Sequence, residues 1–214
     1  MRWLQTAALL TIPGLLGLAC WMSRPFSQSL IQQKQSVWVL SIAQQHNLQI
    51  AAAYLDGAIL QPGERFSFNR ALGPRFRSRG YVPAPSYLGG ESPETVGGGI
   101  CLLSSLLYQE ALKAGFQIEQ RVSHLRTIRS VPPGLDATVW YGGADLRFIN
   151  TLPQPIQIRA QLEDRQLLVS LNGHRFMMPK TVQRVVRRSA ENKILVTVFQ
   201  QDHMVSRDLY RLSP

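Results

Sequence analysis

Apolar positions along this chain follow two periods. Leu48, Ala51, Ala52 and Leu55 share one face of a helix over Asn47 to Asp56, which Gly57 would cap. Leu103, Leu107, Ala111 and Ala114 recur at i, i+4, i+8 and i+11, predicting a second helix that ends at Gly115. Most other apolar residues alternate or run in short β-branched stretches. Ala58 to Leu60, Arg65 to Asn69 (through Phe66 and Phe68), Gln117 to Val122, Ala137 to Tyr141, Leu146 to Ile149 and Ile156 to Leu162 read as strands. From Gln166 onward the pattern is wholly β: Leu167 to Leu171, Val182 to Arg188, Lys193 to Phe199 and His203 to Leu209. Asn172-Gly173 is a hairpin signal, and Pro153 and Pro155 bound a further hairpin loop. Before the first helix, residues 25–46 are polar and Gln-rich, a linker leading into a helix around Ser36 to Gln45.

These elements predict an α+β fold. The helix of Leu102 to Ala114 packs on a mostly antiparallel sheet, with a C-terminal all-β extension. The segments are an N-terminal signal or anchor (1–24), a polar linker or helix (25–46), the main domain (47–162) and the β extension (163–214). At 214 residues, with 45% hydrophobic and 17% charged content, the chain can bury a core without disulfides.

The first segment has two readings. Arg2 precedes a largely apolar run from Leu4 to Met22, and Gly17-Leu18-Ala19 offers small residues to a signal peptidase. Alternatively, Trp3 and Trp21 bracket residues 3–22 as an uncleaved membrane anchor, a helix of roughly 27 Å. The anchor is favoured, and either reading predicts an extracytoplasmic domain.

Charge narrows the partners. The net charge is +10, concentrated in Arg65, Arg70, Arg75, Arg77 and Arg79 and again in Arg175, Lys180, Arg184, Arg187 and Arg188. Such surfaces attract anionic polymers. No aromatic-interleaved basic ribbon, helix-turn-helix or zinc-finger pattern is present, which argues against nucleic acid. An anionic envelope polymer or a cell-wall peptide fits better.

The candidate chemistry centres on Val96 to Tyr108. Gly97, Gly98 and Gly99 make a permissive loop, and Cys101 follows at the first turn of the predicted helix. Free N–H groups and the positive helix end gather there, favouring a thiolate. A buried core Cys is the competing reading. Further along come His124 and Asp136, giving the order Cys…His…Asp used by papain-like and transglutaminase-like enzymes. In that scheme Cys101 attacks a carbonyl, His124 shuttles the proton, Asp136 orients the ring and N–H groups of the Gly99 to Cys101 turn bind the oxyanion. Asn69, Gly97, Gly98, Gly99, Ser104 and Ser105 are candidate ligand-binding positions. His46, His174 and His203 form no ligand spacing with Cys101, and the glycine loop lacks the Lys-Ser or Lys-Thr of a phosphate loop, so no metal or cofactor is predicted.

Several ordered segments carry a resemblance. Pro62-Gly63-Glu64-Arg65-Phe66-Ser67-Phe68-Asn69, Leu72-Gly73-Pro74, Arg79-Gly80-Tyr81, Gly97 to Cys101 with Ser104 to Tyr108, His124, and Pro132 to Val139 resemble the VanW family. The resemblance covers about Asn47 to Arg159. It implies an exported bacterial envelope protein, in a family named after an accessory protein of vancomycin B-type resistance clusters. One position departs: the family usually has Gln after the cysteine, and here it is Leu102. On these grounds a non-catalytic module binding a wall component or partner ranks first. A thiol-dependent peptidase, amidase or transpeptidase acting on peptidoglycan peptides is the alternative.

Overall fold

The computed structural model describes residues 26–86 and 94–213. It is an α+β fold of antiparallel sheets around two long helices. Helix α1 (Ile42–Leu55) opens at Ser41, whose hydroxyl accepts from Gln44 N–H at 3.2 Å while Gln44 Oε1 accepts from Ser41 N–H at 2.9 Å. This reciprocal box satisfies two end donors. Its buried face carries Gln44, Asn47, Leu48, Ala51, Ala52 and Leu55. Helix α3 (Cys101–Ala114) is buried along nearly its whole length and ends at Gly115, which is left-handed. Between them lies a short helix, α2 (Phe68–Leu72).

The main sheet has the order β1-β9-β8-β2, from Gln28–Ser36, Gln166–Gly173, Ile156–Glu163 and Ile59–Leu60. Leu167, Val169 and Leu171 of β9 and Ile156, Ile158 and Ala160 of β8 alternate into the core. Helix α1 packs on β8, and α3 packs on β9 and β1. A second sheet joins β3 (Arg65–Ser67), β7 (Arg147–Ile149) and β6 (Gln117–Gln120). A small ribbon pairs β4 (Pro83–Pro85) with β5 (Glu94–Val96) and leads into the glycine loop. The C-terminal meander β10-β11-β12 spans Val182–Ala190, Lys193–Gln200 and His203–Arg211. Its inner face buries Val196, Val198 and Tyr210.

The described residues correct several sequence expectations. Residues 28–36 form an edge strand, not a linker or helix, because Leu30 and Ile31 drop into the core and Gln33 bonds to Gln109 and Lys113 of α3, while Gln28 and Gln32 are exposed. The first helix begins at Ile42, where the Ser41 cap sits, not at Asn47. The hairpin between β8 and β9 turns at Asp164 and Arg165, with φ of 48° and 57°. Asn172 and Gly173 instead lie within β9. Strand β9, grouped by sequence with the C-terminal extension, thus belongs to the main sheet. Pro153 and Pro155 link two different sheets and close no hairpin. Ala137 to Tyr141 joins no ladder: Thr138 N–H bonds to Val122 O and Trp140 N–H to Ala144 O, and Tyr141 lies in a turn. The N-terminal segment, with its anchor and Cys20, lies outside the described residues; among these, no helix is long and apolar enough to cross a membrane.

Candidate active site

The glycine loop sets the position of Cys101. Gly98 packs so tightly that a Cβ there would lie 2.1 Å from Ala84 O. Gly99 has φ of +95°, and a Cβ would meet Gln44 Cβ at 2.8 Å. Helix α1 braces the loop: Asn47 Nδ2 donates to Gly98 O at 3.0 Å, and Gln44 Nε2 donates to Pro85 O at 2.9 Å. The first bonds of the turn run from Leu102 N–H to Gly99 O and from Leu103 N–H to Ile100 O. The Cys101 N–H therefore precedes the helix ladder, as first-turn donors do.

Cys101 is a free, half-buried thiol on the wall of a cavity of about 280 Å³. Its Sγ lies 3.7 Å from Val139 O, and it is hydrogen-bonded to His124. His124 is buried, and its Nδ1 lies 2.6 Å from Asp136 Oδ2. The same carboxylate oxygen accepts from His124 backbone N–H at 2.7 Å. With Nδ1 engaged, Nε2 is the ring nitrogen left for the thiol. The three residues selected from sequence order thus meet in one site.

Asp136 is enclosed by further donors. Its Oδ1 accepts from Arg121 Nη2 at 2.7 Å, from Tyr210 hydroxyl at 2.6 Å and from Gly134 N–H at 3.2 Å. Arg121 also pairs with Asp208 and lies over the Tyr108 ring. Burial alone would raise the Asp136 carboxyl, but the hydrogen bond from His124 and the Arg121 charge outweigh it and hold it at about 2. Burial alone would likewise discharge His124. Hydrogen bonds to Asp136 and Cys101, with their charges, outweigh that and lift it to about 9. The imidazole is therefore held as a cation beside the sulfur at neutral pH.

Ser104 and Ser105 sit elsewhere than a ligand would need. Both are fully buried. Ser104 donates to Ala137 O at 2.6 Å, and Ser105 Oγ accepts from Ala137 N–H at 2.9 Å while donating to Cys101 O at 2.6 Å. They clamp the segment after Asp136 to the first turn of α3. Asn69 is not a wall of the Cys101 cavity. Its Nδ2 donates to Trp140 O at 3.0 Å and Ala144 O at 2.9 Å, fixing the turn that carries Trp140 and Tyr141. Gly97, Gly98 and Gly99 do line the cavity. Leu102, at the position of the expected Gln, is buried and contributes an apolar wall.

The family-model comparison matches residues 43–172 to "VanW like protein", well over half of the chain. The chain belongs to the VanW-like family. This VanW-like chain is 43% identical over 146 residues to YoaR of Bacillus subtilis (strain 168), covering 65% of this chain and 48% of that protein. It is 31% identical over 129 residues to the vancomycin B-type resistance protein VanW of Enterococcus faecalis (strain ATCC 700802 / V583), covering 57% of this chain and 46% of that one. The chain spans about half the length of these curated relatives. No solved structure matches.

Sequence reasoning missed Arg121, Asp208, Tyr210, Arg75 and Thr138. Tyr210 and Asp208 lie beyond the region the family model covers and reach the site only through the fold. Thr138 Oγ1 is a buried polar atom on the cavity wall with no hydrogen-bond partner. Among the described residues, no group of three His, Cys, Asp or Glu side chains is placed to hold a metal ion.

Proposed function

We propose that this VanW-like chain is a thiol-dependent acyl-transfer enzyme of the cell envelope, acting on a peptide or amide carbonyl, with cell-wall peptides as the substrate class. The observation that carries this reading is the continuous hydrogen-bonded run from Cys101 through His124 to Asp136 on a cavity wall. A module that only binds would not require a nucleophile, a ring and a carboxylate in that sequence of contacts.

The chemistry follows from the charges. Cys101 attacks as the thiolate paired with the His124 imidazolium. The sulfur attacks the carbonyl carbon, and the C–O π pair moves onto oxygen, to which the Cys101 N–H would donate. As the intermediate collapses, the C–N bond breaks, and His124 gives its proton to the departing amine. A thioester remains on Cys101. Water or an acceptor amine then attacks it, His124 takes the attacking group's proton, and the thiolate is restored. Asp136 holds Nδ1 throughout and keeps the imidazolium stable.

An envelope location is supported by the apolar N-terminal run and by the printed name of the Enterococcus relative, which concerns vancomycin B-type resistance. Membrane attachment through residues 3–22 belongs to the same proposal. One observation also favours a binding contribution. Strand β10 is exposed almost throughout and carries Arg184 and Arg188 on one side and Arg187 on the other, a basic strand suited to an anionic envelope polymer.

The test uses p-nitrophenyl acetate as a generic acyl donor. Incubation with the full chain should release a burst of nitrophenolate and leave one acetyl group on the Cys101 peptide by mass spectrometry, absent from Cys101→Ala. Acetylation confined to surface lysines would reject the reading.

A further inference from the structure

The cavity beside Cys101 contains a second charged group that the acyl-transfer scheme does not use. Arg75 forms part of the wall. Its stem rests on the glycine loop, where a Cβ at Gly97 would meet Arg75 Cβ and Cγ at 3.0 Å. Nη1 donates to Gly73 O at 3.1 Å, and the guanidinium carbon lies 5.8 Å from the centroid of Phe68 and 5.9 Å from that of Tyr141. Nη2 is enclosed and has no hydrogen-bond partner.

An enclosed guanidinium donor without an acceptor is costly, and natural proteins rarely leave one so. Arg65, Arg121 and Arg147 are each paired: Arg65 to Glu119, Arg121 to Asp136 and Asp208, Arg147 to Asp145. Asp145 acts on Arg75 only through its charge. Its oxygens are already taken by Ser67, the Asn69 and Leu146 N–H groups and Arg147. No ion pair of Arg75 occurs among the described residues. Leu40, Phe76, Ile128, Val139 and Trp140 make much of the remaining wall apolar. A cavity with an apolar body, a nucleophile and one planar cation that has no ion pair among the described residues fits an acyl ligand that carries its own carboxylate.

We infer that Arg75 is the specificity-determining residue of this site, receiving a carboxylate on the substrate and placing its carbonyl at Cys101. This rests on the acyl-transfer reading of Cys101. The substrate class it selects is a short peptide or acyl amino acid with a free carboxylate close to the scissile bond.

The test compares chloroacetylglycine with its neutral amide, chloroacetylglycinamide, in alkylating Cys101 of the full chain at pH 7, where the thiolate displaces chloride. The carboxylate reagent should react faster by at least about tenfold, the scale of a charge-assisted pair. Arg75→Gln should bring the ratio of the two rates near one. Arg75→Lys should restore part of the preference. Acetylglycine should protect Cys101 of the unaltered protein from iodoacetamide better than acetylglycinamide does, a comparison that needs no variant. Ordinary reaction with iodoacetamide but no carboxylate preference, or a preference unchanged by Arg75→Gln, overturns this inference alone. Failure of the folded protein's Cys101 to react with any reagent overturns the nucleophile reading and this inference with it.

Discussion

At the scale of single residues, Asp136 is the hub. One oxygen faces His124, and the other takes donors from Arg121, Tyr210 and Gly134. Removing its charge leaves His124 without its carboxylate and Arg121 paired with Asp208 alone, so Asp136→Asn should cost about 3–5 kcal/mol in urea unfolding. Tyr210→Phe loses the hydroxyl that joins Asp136 to the Gly134 N–H and should cost about 1–3 kcal/mol by the same measurement. The pH dependence has a definite sign. His124 is raised from 6.5 to about 9, so its contribution to stability is complete below 6.5 and is lost as pH rises through about 9. Asp136 is lowered from 3.8 to about 2, so its contribution is present above 3.8 and is lost as pH falls through about 2. Unfolding free energy should therefore fall between pH 6.5 and 9.5, and His124→Gln should flatten that limb. The three residues of the candidate site were legible because chemistry restricts such candidates to few types: a Cys followed by His and Asp in order. The groups that support them were not. Nothing local marks Tyr210, near the end of the chain, as the partner of a carboxylate at 136.

At the scale of elements, the glycine loop and the first turn of α3 form one device. Close approaches by Ala84 and Gln44 leave no room for side chains at Gly98 and Gly99, and Arg75 crowds Gly97, whose φ is +84°. Gly98→Ala forces a Cβ into backbone oxygen, so the loop must move. We expect a loss of at least about 2 kcal/mol and a Cys101 whose alkylation no longer responds to His124. Both long helices were readable from their apolar spacing, although the start of α1 was set by the Ser41 box, ahead of the first periodic residue. The strand pattern misled where tertiary contacts compete with propensity. Ala137 to Tyr141 has strong strand residues, yet Ser104 and Ser105 bind its backbone to α3 and keep it out of a ladder. Gln-rich residues 28–36 looked unstructured because an edge strand buries only Leu30 and Ile31.

At the scale of the whole molecule, the C-terminal meander is part of the site's support. Tyr210 bonds Asp136, Asp208 pairs with Arg121, and Arg211 exchanges backbone bonds with Leu125 and Thr127 beside His124. Ending the chain after Gly173 would remove these partners and uncover the core that Val196 and Val198 help to build. The truncated protein should lose both cooperative unfolding and His124-dependent reactivity at Cys101. The fold class was legible because two helical faces and many alternating stretches admit few architectures. The dependence of the triad on the last strand was not, since it arises from contacts more than 70 residues apart in sequence.

The central claim is that Cys101 and His124 act as a charged pair. Its most direct test is the rate of iodoacetamide alkylation at Cys101 of the full chain across pH 5 to 10, resolved by peptide mass spectrometry and repeated with His124→Ala. The pair predicts substantial alkylation at pH 6 in the folded protein, with the low-pH reactivity lost in the variant. A thiol protected until the protein unfolds, or one whose pH profile is the same with and without His124, would contradict it.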